Sequence, residues 1–141
     1  MRIAVVLGLV FVGLGWFIFR YPAPSPPALI AGLADEGLVG APCPARSILE
    51  QEARKKRGPQ ATTAFAQRLR ERFALGSPGD ALQKTLFAQG FESFAPCAND
   101  EGVFGARWRG TTWGDPDAYV YWRLDPDEKL IFLDGHVSRA Q

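Results

Sequence analysis

"AYVYWRLDPDEKLIFLDGHVS", residues 118 to 138, alternates in side-chain character on either side of a proline-centred tetrapeptide. Strand side chains point to opposite faces in turn, so Val120, Trp122 and Leu124 share one face while Tyr119, Tyr121 and Arg123 share the other. "DPDE", Asp125 to Glu128, places Pro126 at the second position of a tight turn. The segment predicts an antiparallel hairpin. Just before it, "GVFGARWRG" (102 to 110) repeats the pattern, with Phe104, Ala106 and Trp108 alternating with Gly105, Arg107 and Arg109. Three consecutive strands joined by turns imply a three-stranded antiparallel meander backed by helices on one face. Phe104, Trp108, Val120, Trp122, Leu124, Ile131 and Leu133 are expected to face those helices.

Upstream the period becomes helical. "PARSILEQEARKKRG" predicts a helix stopped at Gly58-Pro59, and "TTAFAQRLRERFALG" predicts a second, capped by Thr62 or Thr63, with Phe65, Leu69 and Phe73 on one stripe. "LGSPGDALQKTLFAQGFESF" (75 to 94) raises a catalytic question, because Ser77 lies between glycines. A nucleophile elbow needs glycine two positions before the serine, where Leu75 stands, and a triad needs a histidine base, of which the chain has only His136. The helix-start reading fits better: Ser77 as N-cap, Pro78 at the first helical position, Asp80 toward the helix dipole, and Gly90 as the stop.

From Ile3 to Phe19 no residue is charged, and Arg2 and Arg20 flank the run. Seventeen residues at about 1.5 Å each reach about 25 Å, near the lower limit for crossing a bilayer. Phe19-Arg20-Tyr21-Pro22 offers no small-residue cleavage site. The expectation is an uncleaved signal anchor over residues 1–21, with cleavage and secretion as the alternative. The basic N-terminus places the following domain outside the cytoplasm. A proline-rich linker follows over 22–43, in which Ala28 to Val39 is apolar enough to form a short helix or to lie on the domain. The domain proper is expected over 44–141.

The chain has two cysteines, Cys43 and Cys97, without a CxxC or a His/Cys cluster. In an exported domain such a pair reads as a disulfide, the alternative being two unrelated buried thiols. Residues 44–74 hold eight Lys/Arg against three Asp/Glu, and residues 75–141 hold six against ten. Arg54, Lys55, Lys56 and Arg57 form a basic cluster suited to anionic lipid or an acidic partner, or simply a solvated face. Neither "DPD" stretch, at Asp115 or Asp125, has calcium-loop spacing, and both suit turns. There is no phosphate loop and no zinc spacing. Net charge of +1 with an acidic sheet end argues against nucleic acid. A Cys97/His136 hydrolase would need a free thiol.

The order of membrane segment, helices, "GSPGDALQKTLFAQGF" and three strands ending in "DEKLIFLDGHV" resembles the SmpA/OmlA (BamE-like) domains of bacterial envelopes over about residues 60 to 137. There a Gly-Thr/Ser turn opens a short helix. The chain departs from that family in having no lipobox cysteine. The resemblance implies a small α+β envelope domain. Similar plans occur in beta-lactamase inhibitor protein repeats, and similar anchored domains serve as immunity proteins. The function expected is therefore a non-catalytic, membrane-anchored periplasmic protein-binding module in envelope assembly or maintenance. An immunity or inhibitor protein and an envelope enzyme are the other classes. Arg107, Arg109, Trp113, Tyr119, Tyr121 and Arg123 are the expected partner-binding residues, on the sheet face away from the helices, with an envelope protein as partner. No cofactor or metal is expected.

Overall fold

The computed structural model describes residues 25–37, 39–58, 62–111 and 115–139. The predicted hairpin joins two long strands, β3 (Pro116–Leu124) and β4 (Leu130–Arg139). Its loop is a turn in which the Glu128 amide donates to the Asp125 carbonyl at 3.0 Å. Glu128 then takes a left-handed conformation at φ 59. The Asp125 carboxylate accepts from the amides of Asp127 at 2.9 Å and Lys129 at 2.8 Å, which is why aspartate suits this position. Such a turn followed by a left-handed residue is a common three-residue hairpin loop.

The register shifts next to this loop: Arg123 pairs with Phe132, but Leu124 pairs with Leu130. Ile131 is the extra residue. Strict alternation predicted it in the core, but the bulge turns it outward at 55% exposure and brings Leu130 inside at 1%.

β2 (Phe104–Trp108) pairs with β3, and a further strand, β1 (Glu92–Phe94), pairs with β2. The sheet therefore has four antiparallel strands in the order β1-β2-β3-β4 rather than the expected three. At three residues β1 is too short to display a period, which explains its omission.

Of the three helices among the described residues, two lie on the sheet. α1 (Ile48–Arg57) buries no residue. α2 (Ala64–Arg72) begins at Thr63, whose hydroxyl accepts from the Ala66 amide at 3.0 Å. Its stripe is the expected one, with Phe65 and Leu69 fully buried and Phe73 nearly so. Gly135 lets α2 approach β4, since a Cβ there would stand 2.8 Å from Leu69 Cδ1 and 2.9 Å from the Tyr119 carbonyl. α3 (Gly79–Ala88) buries Leu82 and Leu86. It ends at Gly90, φ 83, where the Gly90 amide donates to Phe87 and the Phe91 amide to Leu86.

Ser77 is not the cap of α3. Pro78 holds that position, and among the described residues no side chain caps the helix and the buried Ser77 Oγ finds no hydrogen-bond partner. Tertiary pairing overrides the local signal: the Gly76 amide donates to Leu130 O at 2.7 Å, and the Leu130 amide to Ser77 O at 2.9 Å.

Part of the expected linker belongs to the domain. Residues after Pro27 make one helical turn, with the Ile30 and Ala31 amides donating to the Pro27 carbonyl. Leu29 and Ile30 are 2% and 3% exposed within the main core. Arg68 of α2 donates to the carbonyls of Leu29 and Ala31, and the Leu29 amide donates to Gln89. The chain then reaches the edge of β4, where the Glu36 amide donates to the Val137 carbonyl. The Glu36 carboxylate accepts in return from Val137 at 2.9 Å and from the Phe65 amide at 3.0 Å, tying β4 to the start of α2. Ala41 and Cys43 finally join a second cluster containing Cys97, Val103 and Tyr121. Residues 27–37 and 39–43 form a strap around the edge strand, and the Cys43–Cys97 disulfide fastens its end, with 5.3 Å between the two Cα atoms.

Among the described residues no helix is long and apolar enough to cross a membrane. The expected span, residues 3–19, lies outside the described residues.

Candidate protein-interaction face

Pairing dictates which side chains meet on the face turned away from α2 and α3. Arg107 stands opposite Tyr119, and Tyr119 opposite His136. The Tyr119 and His136 rings stack at 5.0 Å, 17° from parallel, and Tyr121 stacks on the same imidazole at 5.8 Å. Phe94 meets both tyrosines edge-on, at 6.2 and 6.1 Å. Gly105 makes room for that ring, because a Cβ at 105 would come within 2.9 Å of it. The Arg107 guanidinium lies 5.9 Å from the Phe94 centroid. Its Nε is buried and finds no hydrogen-bond partner among the described residues. Neither Arg107 nor Arg109 makes an ion pair among the described residues.

The strap and the 97–103 loop divide this face. On the covered side Tyr121, expected to be exposed, is only 4% exposed and packs with Cys97 and Val103. Burial first, then the neighbouring Tyr119 and Asp134, push its phenol upward in pKa. Tyr121 therefore supports the face from beneath. Arg123 is ion-paired to Asp100, and that hydrogen bond, helped by the Gly102 amide, holds the Asp100 carboxyl below its usual range. Arg123 is thus committed to closing the loop.

The open side holds Arg107 and Tyr119, both half-buried, with Arg109 exposed at the end of β2. Tyr119 OH donates to Asp117 Oδ2 at 3.4 Å, and Asp117 Oδ1 accepts from the Gly110 amide at 3.2 Å. Burial, then the Asp117 charge and hydrogen bond, raise the Tyr119 pKa. Trp113, the remaining expected anchor, lies outside the described residues.

Two members of the cluster escaped sequence reasoning. In the sequence His136 stands out only as a base, yet it falls in the same alternation as Phe132 and Asp134. Phe94 gave no signal, since its strand has no readable period. Cys97 is bonded to Cys43, so it offers His136 no free thiol. Among the described residues no group of three or more His, Cys, Asp or Glu could hold a metal ion.

His136 is 3% exposed, and burial lowers its pKa from the ordinary 6.5 against the smaller upward pull of Glu36 and Asp134. The folded state thus keeps it neutral where the unfolded chain would be charged. Below about 6.5 the unfolded state binds more protons, so this contribution is complete above that pH and declines as pH falls through it toward the lowered folded value. Melting curves from about pH 7 to about pH 5 should show this loss in the wild type and a flatter profile in His136→Phe. Identical profiles would remove His136 as its source.

No protein-family model, curated protein or solved structure matches the chain.

Proposed function

We propose that the protein is a membrane-anchored periplasmic module of the bacterial envelope that binds a protein partner, without catalysis, through the open side of this face. The observation that carries the reading is Arg107. Its guanidinium rests on Phe94 beside the Tyr119–His136 stack, yet its Nε has no acceptor and its charge no counter-ion among the described residues. A desolvated donor without an acceptor costs free energy, and an incoming carboxylate or carbonyl removes that cost. Arginine and tyrosine on a supported aromatic base have the composition of an interface hot spot. Arg109 adds a second cation at the rim, where charge acts mainly on association rate.

The anchor reading rests on the uncharged run from Ile3 to Phe19, and the disulfide is the kind of bond an oxidising compartment sustains. The SmpA/OmlA resemblance supports envelope assembly or maintenance as the setting. A strap locked over the other side of the face gives it a rigidity that would equally serve an inhibitor or immunity protein. The two roles differ in partner: an envelope component in one case, a toxin or hydrolase in the other.

Arg107→Ala and Tyr119→Ala should each weaken partner binding by about 1 kcal/mol or more, roughly fivefold, and Arg109→Ala should chiefly slow association. Co-purification from membranes, with melting temperatures of the same variants, checks this. Normal binding by all three variants would move the interface elsewhere.

A further inference from the structure

We propose that α1 is a membrane-surface helix whose outer side lies on an anionic bilayer. This rests on the anchor reading above, but on none of the residues of the sheet face. α1 buries no residue, and Ile48 and Leu49 are 77% and 81% exposed. At 100° per residue, Ile48, Leu49, Glu52, Lys55 and Lys56 fall within an arc of about 120°. Glu50 and Arg54 occupy the opposite side, where they pair with each other and Arg54 donates to the Cys43 carbonyl.

Those contacts fix which side points outward. Cys43 is held by the disulfide, and Asn99 reaches the Pro44 carbonyl at 3.5 Å, so the helix is rooted just beside the fastened end of the strap. The outer side then offers two apolar side chains at its N-terminal turn and lysines at its C-terminal turn, with exposed Glu52 between them. Lys55, Lys56 and Arg57 are exposed and make no ion pair among the described residues.

Two features select lipid as the occupant. Apolar side chains entering the headgroup boundary, with lysine stems lying alongside them and their charges at the phosphates, match this arrangement. The tether is also short. Pro27 is buried and Leu29 and Ile30 sit in the core, so only eight steps separate Phe19, the last residue of the apolar run, from the folded domain. Eight residues span at most about 28 Å in any conformation, which keeps the domain at the bilayer surface.

The test is hydrogen exchange of residues 48–57 in the full chain reconstituted with phosphatidylcholine vesicles, with and without phosphatidylglycerol. The chain should float with both, and these amides should exchange about tenfold more slowly only when phosphatidylglycerol is present. Lys55→Glu with Lys56→Glu should erase the protection and leave flotation on neutral vesicles intact. Flotation on both with equal exchange overturns the proposal and leaves the anchor standing. Protection by soluble polyglutamate but not by phosphatidylglycerol assigns the helix to an acidic protein and overturns it too. Failure to float on neutral vesicles removes the anchor reading, and α1 is then judged on anionic vesicles alone. Flotation lost in the double variant supports the proposal there; flotation retained, or none at all, overturns it.

Discussion

Trp122→Ala is expected to lower the stability of the folded domain by about 3–5 kcal/mol, the range for deleting a large aromatic from a packed core. Trp122 is 2% exposed, lies opposite Leu133 on β4 and Phe104 on β2, and stacks on Phe104 at 5.8 Å. Its removal leaves a void in the main core cluster. Trp122→Phe should cost far less. The buried indole Nε1 has no acceptor among the described residues, so the smaller ring loses volume but removes an unsatisfied donor. Chemical unfolding followed by circular dichroism measures both. An alanine variant within about 1 kcal/mol of wild type would show that the core is not built around this residue.

Removing the disulfide is expected to have the next largest effect. Cys43 and Cys97 are 54 residues apart, and cross-linking a loop of that size restricts the unfolded chain by about 4 kcal/mol in the chain-entropy account. The Cys43→Ser, Cys97→Ser double variant should lose that order of stability. It should also expose Tyr121 and Val103, because the end of the strap that packs with them loses its fastening. Unfolding with and without reductant, and amide exchange along β3, report the two effects separately. Unchanged stability on reduction would mean that Glu36 and the buried Leu29–Ile30 turn hold the strap without the bond.

Much of the sheet was legible because alternation is a direct consequence of strand geometry, and each strand repeats it over several residues. The Phe65–Leu69–Phe73 stripe was legible for the corresponding helical reason. What escaped depended on contacts between distant segments. Ile131 was misplaced because a bulge beside the Asp125 loop resets the alternation, and no local residue announces it. Ser77 looked like a helix cap but supplies backbone to Leu130, 53 positions away. Tyr121 alternates with the exposed set, yet the strap and the disulfide loop cover it. The apolar 28–39 segment could be read either as a short helix or as a chain lying on the domain; residues 28–33 make a single helical turn that lies on the core. Of the candidate face, the shared side of Arg107, Tyr119 and Arg123 was readable. The histidine beneath them and the phenylalanine under Arg107 required the register.

Site-specific photocrosslinking in native membranes shows which face holds the partner, with the probe placed in turn at 109, at 119 and at exposed Lys84 on the helix layer. One protein adduct is expected to be shared by 109 and 119, absent from 84, and lost when Arg107→Ala is added. Adducts that form equally from 84, or that survive Arg107→Ala unchanged, would contradict a partner held on the open side of the sheet.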